Sequence, residues 1–171
     1  YSFFVTYANA DGWTPGGAAR DAQSPIEGNA QLDRWILARL DETTVETRAA
    51  LDRWDSERAV QGLEMMLDDL SNWYVRRSRR RFCKSEADAD KQAAYATLYH
   101  VLVEFARLLA PFVPFVTEEI YQNLVRTFDG DAPASIHHTF YPAVDESQLD
   151  HRLLDKMRLV ITAAALGRSA R

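Results

Sequence analysis

Apolar residues recur three and four positions apart along most of the chain, the spacing that lines them up on one face of an α-helix. Leu32, Trp35, Ile36 and Leu40 form one such stripe and predict a helix over 31–53. Leu63, Met66, Leu67, Leu70 and Tyr74 form a second and predict a single helix over 56–84. Asp55 or Ser56 stands where a side-chain oxygen can accept from the free amides of its first turn. Tyr95, Leu98, Leu102, Phe105 and Leu109 predict a third long helix over 91–109. Pro111 ends it, and Pro114 suits the first turn of another, over 114–126, with Val116, Ile120 and Leu124 on one side. Leu153, Met157, Val160 and Ala164 mark a last helix beginning near Ser147. Phe3, Phe4 and Tyr7 share one side of a short helical piece over 2–9.

The segments between these stripes read as connections. Residues 10–29 hold Gly12, Gly16, Gly17 and Gly28 with Pro15 and Pro25, a long loop able to wrap the surface. Residues 85–90 are a polar link, and 129–145 an irregular arm. Almost no period-two alternation is present. The expectation is an all-α antiparallel helical bundle with a long N-terminal loop and an irregular arm before the last helix. Its parts are a junction and loop over 1–30, a bundle core over 31–128, and an arm with a final helix over 129–171.

Composition adds exclusions. The 171 residues are 47% hydrophobic and 26% charged, as in ordinary soluble globular proteins. No uncharged apolar stretch reaches the roughly 18 residues a membrane span needs, so no membrane partner is expected. The chain opens Tyr1-Ser2-Phe3-Phe4, without an initiator Met or a signal peptide, and reads as a piece of a longer protein. A lone cysteine, Cys83, excludes an internal disulfide and a cysteine-based zinc site, and points to a reducing, cytoplasmic setting.

Searches for catalytic chemistry find no convergent set, so no catalytic and no metal-ligating residue is assigned. A Gly-rich phosphate loop, His-Glu-x-x-His and Gly-x-Ser-x-Gly are all missing. His137 and His138 are adjacent and point apart. Glu118-Glu119 and Asp68-Asp69 lie about 100° apart on a helix and cannot converge on one bond. Cys83 has arginine neighbours that favour its thiolate but no partner base.

Charge is distributed unevenly. The formal net charge is −5, yet residues 76–84 read Arg-Arg-Ser-Arg-Arg-Arg-Phe-Cys-Lys, with six cations and no anion. A dense positive block on an acidic body suits a polyanion held at one place. Trp73, Arg77, Arg80 and Lys84 fall at i, i+4, i+7 and i+11 of the predicted helix, in one narrow arc, with Arg76 and Arg81 beside it. Guanidinium groups grip phosphate with paired hydrogen bonds, and an indole stacks on an unpaired base. Folded RNA with an exposed loop offers both. A second reading turns Arg77 and Arg81 inward, because they continue the line of Leu63, Leu70 and Tyr74. There they would pair with carboxylates such as Glu118 or Glu119.

Three stretches carry a resemblance. Leu-Asp-Arg-Trp-Ile-Leu-Ala-Arg-Leu at 32–40, Asp-Leu-Ser-Asn-Trp-Tyr-Val-Arg-Arg-Ser-Arg-Arg-Arg-Phe at 69–82 and Leu-Ala-Pro-Phe-Val-Pro-Phe-Val-Thr-Glu-Glu-Ile-Tyr at 109–121 resemble the isoleucyl-tRNA synthetases. They look like the C-terminal helical anticodon-binding domain of that class I family. The opening 1–13 and Ser-Ile-His at 135–137 fit it too. The Pro-x-x-Pro junction is shared with the valine and leucine enzymes, whereas the Trp-Tyr-Val-Arg-Arg run is far more specific. One position departs from the family pattern: Cys83 stands where a Trp usually follows Phe82.

The resemblance implies an ATP- and magnesium-dependent parent that attaches isoleucine to its tRNA in the cytoplasm. It implies tRNA binding here, which the charge pattern assigns to Trp73, Arg76, Arg77, Arg80, Arg81 and Lys84, in a monomer whose catalytic and editing domains lie elsewhere in the parent. His-x-Gly-His and Lys-Met-Ser-Lys-Ser, which handle ATP in the family, do not occur here, so this piece needs no cofactor and should be inactive alone. The alternatives are the equivalent domain of a valyl-tRNA synthetase, or a protein-interaction bundle with an internal arginine–carboxylate network.

Overall fold

A computed structural model describes residues 1–16, 30–83 and 89–169. Among these residues the chain is helical and contains no strand. The expected long loop lies mostly outside the described residues, as does Lys84. We number the helices α1 (Ser2–Asp11), α2 (Gln31–Asp52), α3 (Ser56–Asp68), α4 (Arg76–Phe82), α5 (Ala89–Leu109), α6 (Pro114–Tyr121) and α7 (His151–Ser169). Two wider π-helical segments interrupt the series: π1 (Asp69–Val75) joins α3 to α4, and π2 (Gln122–Arg126) extends α6.

The predicted caps form. Asp55 accepts from the Arg58 amide at 3.0 Å, and Pro114 opens α6. At the α2–α3 turn the Asp55 amide donates to the Ala50 carbonyl and the Trp54 amide to Leu51, both at 2.9 Å. This crossed pair closes the end of α2 and requires a left-handed residue between, where glycine is usual. Here Trp54 takes φ 61°.

Trp35, Ile36, Leu63, Met66, Leu70, Tyr74, Leu98 and Leu102 fill the core between α2, α3–π1–α4 and α5. Helix α1 closes one side with aromatic contacts, Phe3 edge-on to Phe82 and Phe4 edge-on to Tyr95. Lys91 pairs with Asp11 at 2.7 Å at the end of α1. Carboxylates and hydroxyls tie the arm down. Glu118 accepts from the Ser135 hydroxyl at 2.8 Å and the Ile136 amide at 3.0 Å, and Tyr121 donates to the Pro133 carbonyl at 2.9 Å. The arm carries two short 3-10 turns, and α7 then begins at His151 rather than near Ser147.

Two helical faces differ from expectation. Leu67 is 52% exposed, and Trp73 takes a core place instead. On α6, Thr117 and Tyr121 face inward while Val116 is exposed. The burial of Trp73 goes with π1. Met66, Leu70, Tyr74, Ser78 and Phe82 are all buried and spaced four apart. At 3.6 residues per turn such a row drifts about 40° per step and would leave the core within a few turns. The wider i→i+5 turn of π1 absorbs that drift and keeps the row facing inward.

Candidate nucleic-acid interface

The basic block divides into an inner and an outer set. Arg81 turns inward beside Phe82. Its Nη1 and Nη2 donate to the two oxygens of Asp33 at 2.6 and 2.8 Å, and its Nε pairs with Asp90 at 2.8 Å. The Asp33 side chain is wholly buried and also accepts from the Tyr74 hydroxyl at 2.7 Å. Burial alone would lower the Arg81 pKa, but the Asp33 and Asp90 carboxylates outweigh it and raise it. Burial and the Asp33 charge push the Tyr74 phenol well up. Arg81 was expected to contact RNA. Its guanidinium is instead committed to carboxylates of the bundle, and these are Asp33 and Asp90 rather than Glu118 or Glu119.

Arg76, Arg77, Arg79 and Arg80 face outward. Arg79 leans toward Tyr7 and Cys83, and its hydrogen bonds to them raise its pKa. Cys83 is exposed at the end of α4. Arg76 and Arg80 make no hydrogen bond or ion pair among the described residues.

Trp73 has two readings from sequence, stacking on an unpaired base and packing in the core. It is only 6% exposed, and the Arg77 guanidinium lies over its ring at 4.2 Å. The wide π1 turn lets Leu70, Trp73 and Tyr74 all reach inward, so the indole supports the cation from beneath.

Arg76 and Arg77 line an open groove of about 610 Å³ together with Asp68, Asn72, Trp73 and Arg168. Asp68, the one carboxylate in this lining, accepts from the Asn72 amide at 2.5 Å. Arg168 comes from the last turn of α7. Sequence reasoning missed it, because a single arginine far from the basic block carries no local signal. Packing of α7 against α2 brings it there. Three guanidinium groups from two distant elements thus converge on one solvent-open groove, a geometry suited to phosphate oxygens.

One ion-pair chain ties α2, π1 and α7 together. Arg39 on α2 donates to Asp69 of π1 at 2.9 Å and to Glu42 at 3.1 Å. Glu42 also accepts from Arg158 of α7. Burial raises the Asp69 pKa, against the opposing pull of Arg39.

A helical bundle presenting a cationic groove defines a polyanion-binding class of protein. Sequence comparison specifies it further. The family described as the anticodon-binding domain of tRNA ligase matches residues 33–171. An isoleucine–tRNA ligase from Dehalococcoides mccartyi is 49% identical over 171 residues, all of this chain and 16% of that protein. One from Clostridium acetobutylicum is 43% identical over the same span, and one from Thermus thermophilus 42% over 174 aligned residues. The chain belongs to the anticodon-binding domain family of tRNA ligases. It spans about a sixth of the length of these relatives.

Proposed function

We propose that this chain is the anticodon-recognition module of an isoleucine–tRNA ligase and that it grips the sugar-phosphate backbone of the anticodon stem-loop. The carrying observation is the convergence of Arg76, Arg77 and Arg168 on one open groove, while Arg39 and Arg81 are spent on buried carboxylates. Arg80 extends the same cationic face, and Lys84 follows it in sequence. Trp73 contributes by supporting Arg77, and Arg81 by holding the bundle together.

Isoleucine attachment, with ATP and magnesium, belongs on this reading to catalytic and editing domains of a monomeric cytoplasmic parent. The residues of this chain do not fit that chemistry. The ATP-handling elements are missing from the sequence, and no group of three His, Cys, Asp or Glu among the described residues is placed to hold a metal. The chain's part is to bind one end of the tRNA while reaction proceeds at the other.

The test is fluorescence anisotropy of labelled anticodon stem-loop RNA against salt concentration. Binding should weaken steeply with salt, because contacts to phosphate release counterions. Replacing Arg76, Arg77 or Arg168 by Ala should each flatten the slope by about 0.7–0.9. An isoleucine-type stem-loop should bind more tightly than a valine-type one. A chain that ignores RNA at all salt concentrations would return the bundle to the protein-interaction reading.

A further inference from the structure

We infer that Glu42 is a positioning residue for the phosphate groove, acting through α7 on one side and π1 on the other. The inference deepens the anticodon reading and rests on it for its RNA-binding consequence.

Helix α7 buries Leu153, Leu154 and Met157 near its start, and beyond them only Ile161 and Ala164 are partly covered. Its last turn, which carries Arg168, therefore projects past its main apolar anchor. Arg158 lies between anchor and tip. Its guanidinium donates to Glu42 Oε1 and, at 2.9 Å, to Asp155 on its own helix. Glu42 Oε2 accepts from Arg39 Nη1 at 3.1 Å, and Arg39 Nε reaches Asp69 at 2.9 Å. Asp69 is the first residue of π1, the segment that places Asn72 and Trp73 in the groove and sets Arg77 over the indole.

Among the described residues Glu42 is thus the carboxylate that joins both walls. One oxygen holds the helix that ends in Arg168, and the other holds the arginine that braces π1. Its side chain is 9% exposed and that of Arg39 10%, so water screens their contact weakly, whereas Arg158 is 57% exposed and its contact is screened more. A carboxylate accepts from both arginines at once. A neutral amide replaces one of these two oxygens with an NH2 donor, so in the same geometry it keeps only one of the contacts. Losing either contact frees one wall, and the spacing between Arg168 and the Arg76–Arg77 pair is no longer fixed.

The experiment pairs Glu42→Gln with Arg168→Gln in the 171-residue chain. Circular dichroism first establishes that each variant is folded. Anticodon stem-loop affinity is then measured for the unaltered chain, both single variants and the double variant. Glu42→Gln should weaken binding roughly 3- to 30-fold, the range of coupling carried through a packed network. Arg168→Gln should cost much less in the Glu42→Gln background than in the unaltered chain. Losses that multiply independently, or unchanged affinity in Glu42→Gln, overturn the inference.

Arg158→Gln, at a surface position, gives the same expectation if Glu42→Gln does not fold. A second arm needs no RNA. Nitroxide labels on the native Cys83 and on Ser169→Cys report the spacing of α4 and the α7 tip. The distance distribution should be narrow in the parent and broaden in Glu42→Gln. An unchanged distribution overturns the inference. Failure of the unaltered chain to bind RNA sinks the anticodon reading, and the distance arm still decides the placement of the walls.

Discussion

Asp33 has no exposed surface, and it holds two residues distant from it in the chain. Arg81 and Tyr74 reach it from α4 and π1, and Asp90 completes the pairing of Arg81 from α5. Removing one partner of such a pair strands the other charge away from water. Arg81→Ala should therefore cost about 3–5 kcal/mol of folding stability. Arg80→Ala, one position away and exposed, should cost about 0–1 kcal/mol. Denaturant midpoints of the two variants check the contrast. If they match, Arg81 is not the interior member of the block.

Asp41 supplies a pH-dependent counterpart. Burial, with the nearby Glu104 carboxylate, pushes its pKa up to about 6. The folded state therefore holds this proton more tightly than the unfolded chain does. Stability from this group is fully present below the ordinary aspartate pKa. It is lost as pH rises through about 6. Asp41→Asn should raise the denaturant midpoint at pH 7.5 by the equivalent of roughly 1 kcal/mol, after allowance for partial exposure, and change little at pH 4. Equal effects at both pH values would show that the ionisation of Asp41 does not govern stability.

At the scale of elements, the helices were legible and their faces only in part. Stripes at steps of three and four gave α2 and α5 nearly to the residue, because those helices keep one winding throughout. The α3–π1–α4 stretch does not, and the arc drawn through Trp73, Arg77, Arg80 and Lys84 assumed that it did. A π turn rotates everything after it relative to everything before it. Within that wider turn Trp73 is buried and Arg77 faces outward.

The α2–α3 turn carries a local conflict of a different kind. Trp54 occupies a left-handed position and is 94% exposed, so it meets a steric cost without packing in return. Trp54→Gly should stabilise the chain by about 0.5–1 kcal/mol, the relief of strain less the backbone entropy of glycine. Trp54→Ala keeps the Cβ and should not. Thermal denaturation of both variants checks the point.

The molecule as a whole brings Arg168 to Arg76 and Arg77 across at least ninety intervening positions. Packing of α7 onto α2, with the Arg158–Glu42 pair, makes that approach. On the proposed reading the groove binds RNA, and the chemistry belongs to other domains of the parent. Isoleucine-dependent exchange of pyrophosphate into ATP should therefore stay at background with the purified chain. Exchange that survives removal of contaminating synthetase would overturn this division of labour.

The sequence by itself determined the all-helical class, the helix ends at Asp55 and Pro114, most of the core and the presence of one dense basic block. Those features depend on neighbours within one or two helical turns, and periodicity, capping side chains and proline geometry act over that range. The direction of each arginine was decided elsewhere. The winding of π1, the buried position of Asp33 and the path of α7 depend on contacts between segments far apart in the chain. Tertiary packing chose Asp33 and Asp90 as the partners of Arg81 and added Arg168 to the groove, because a long-range partner is fixed only once distant helices share a core.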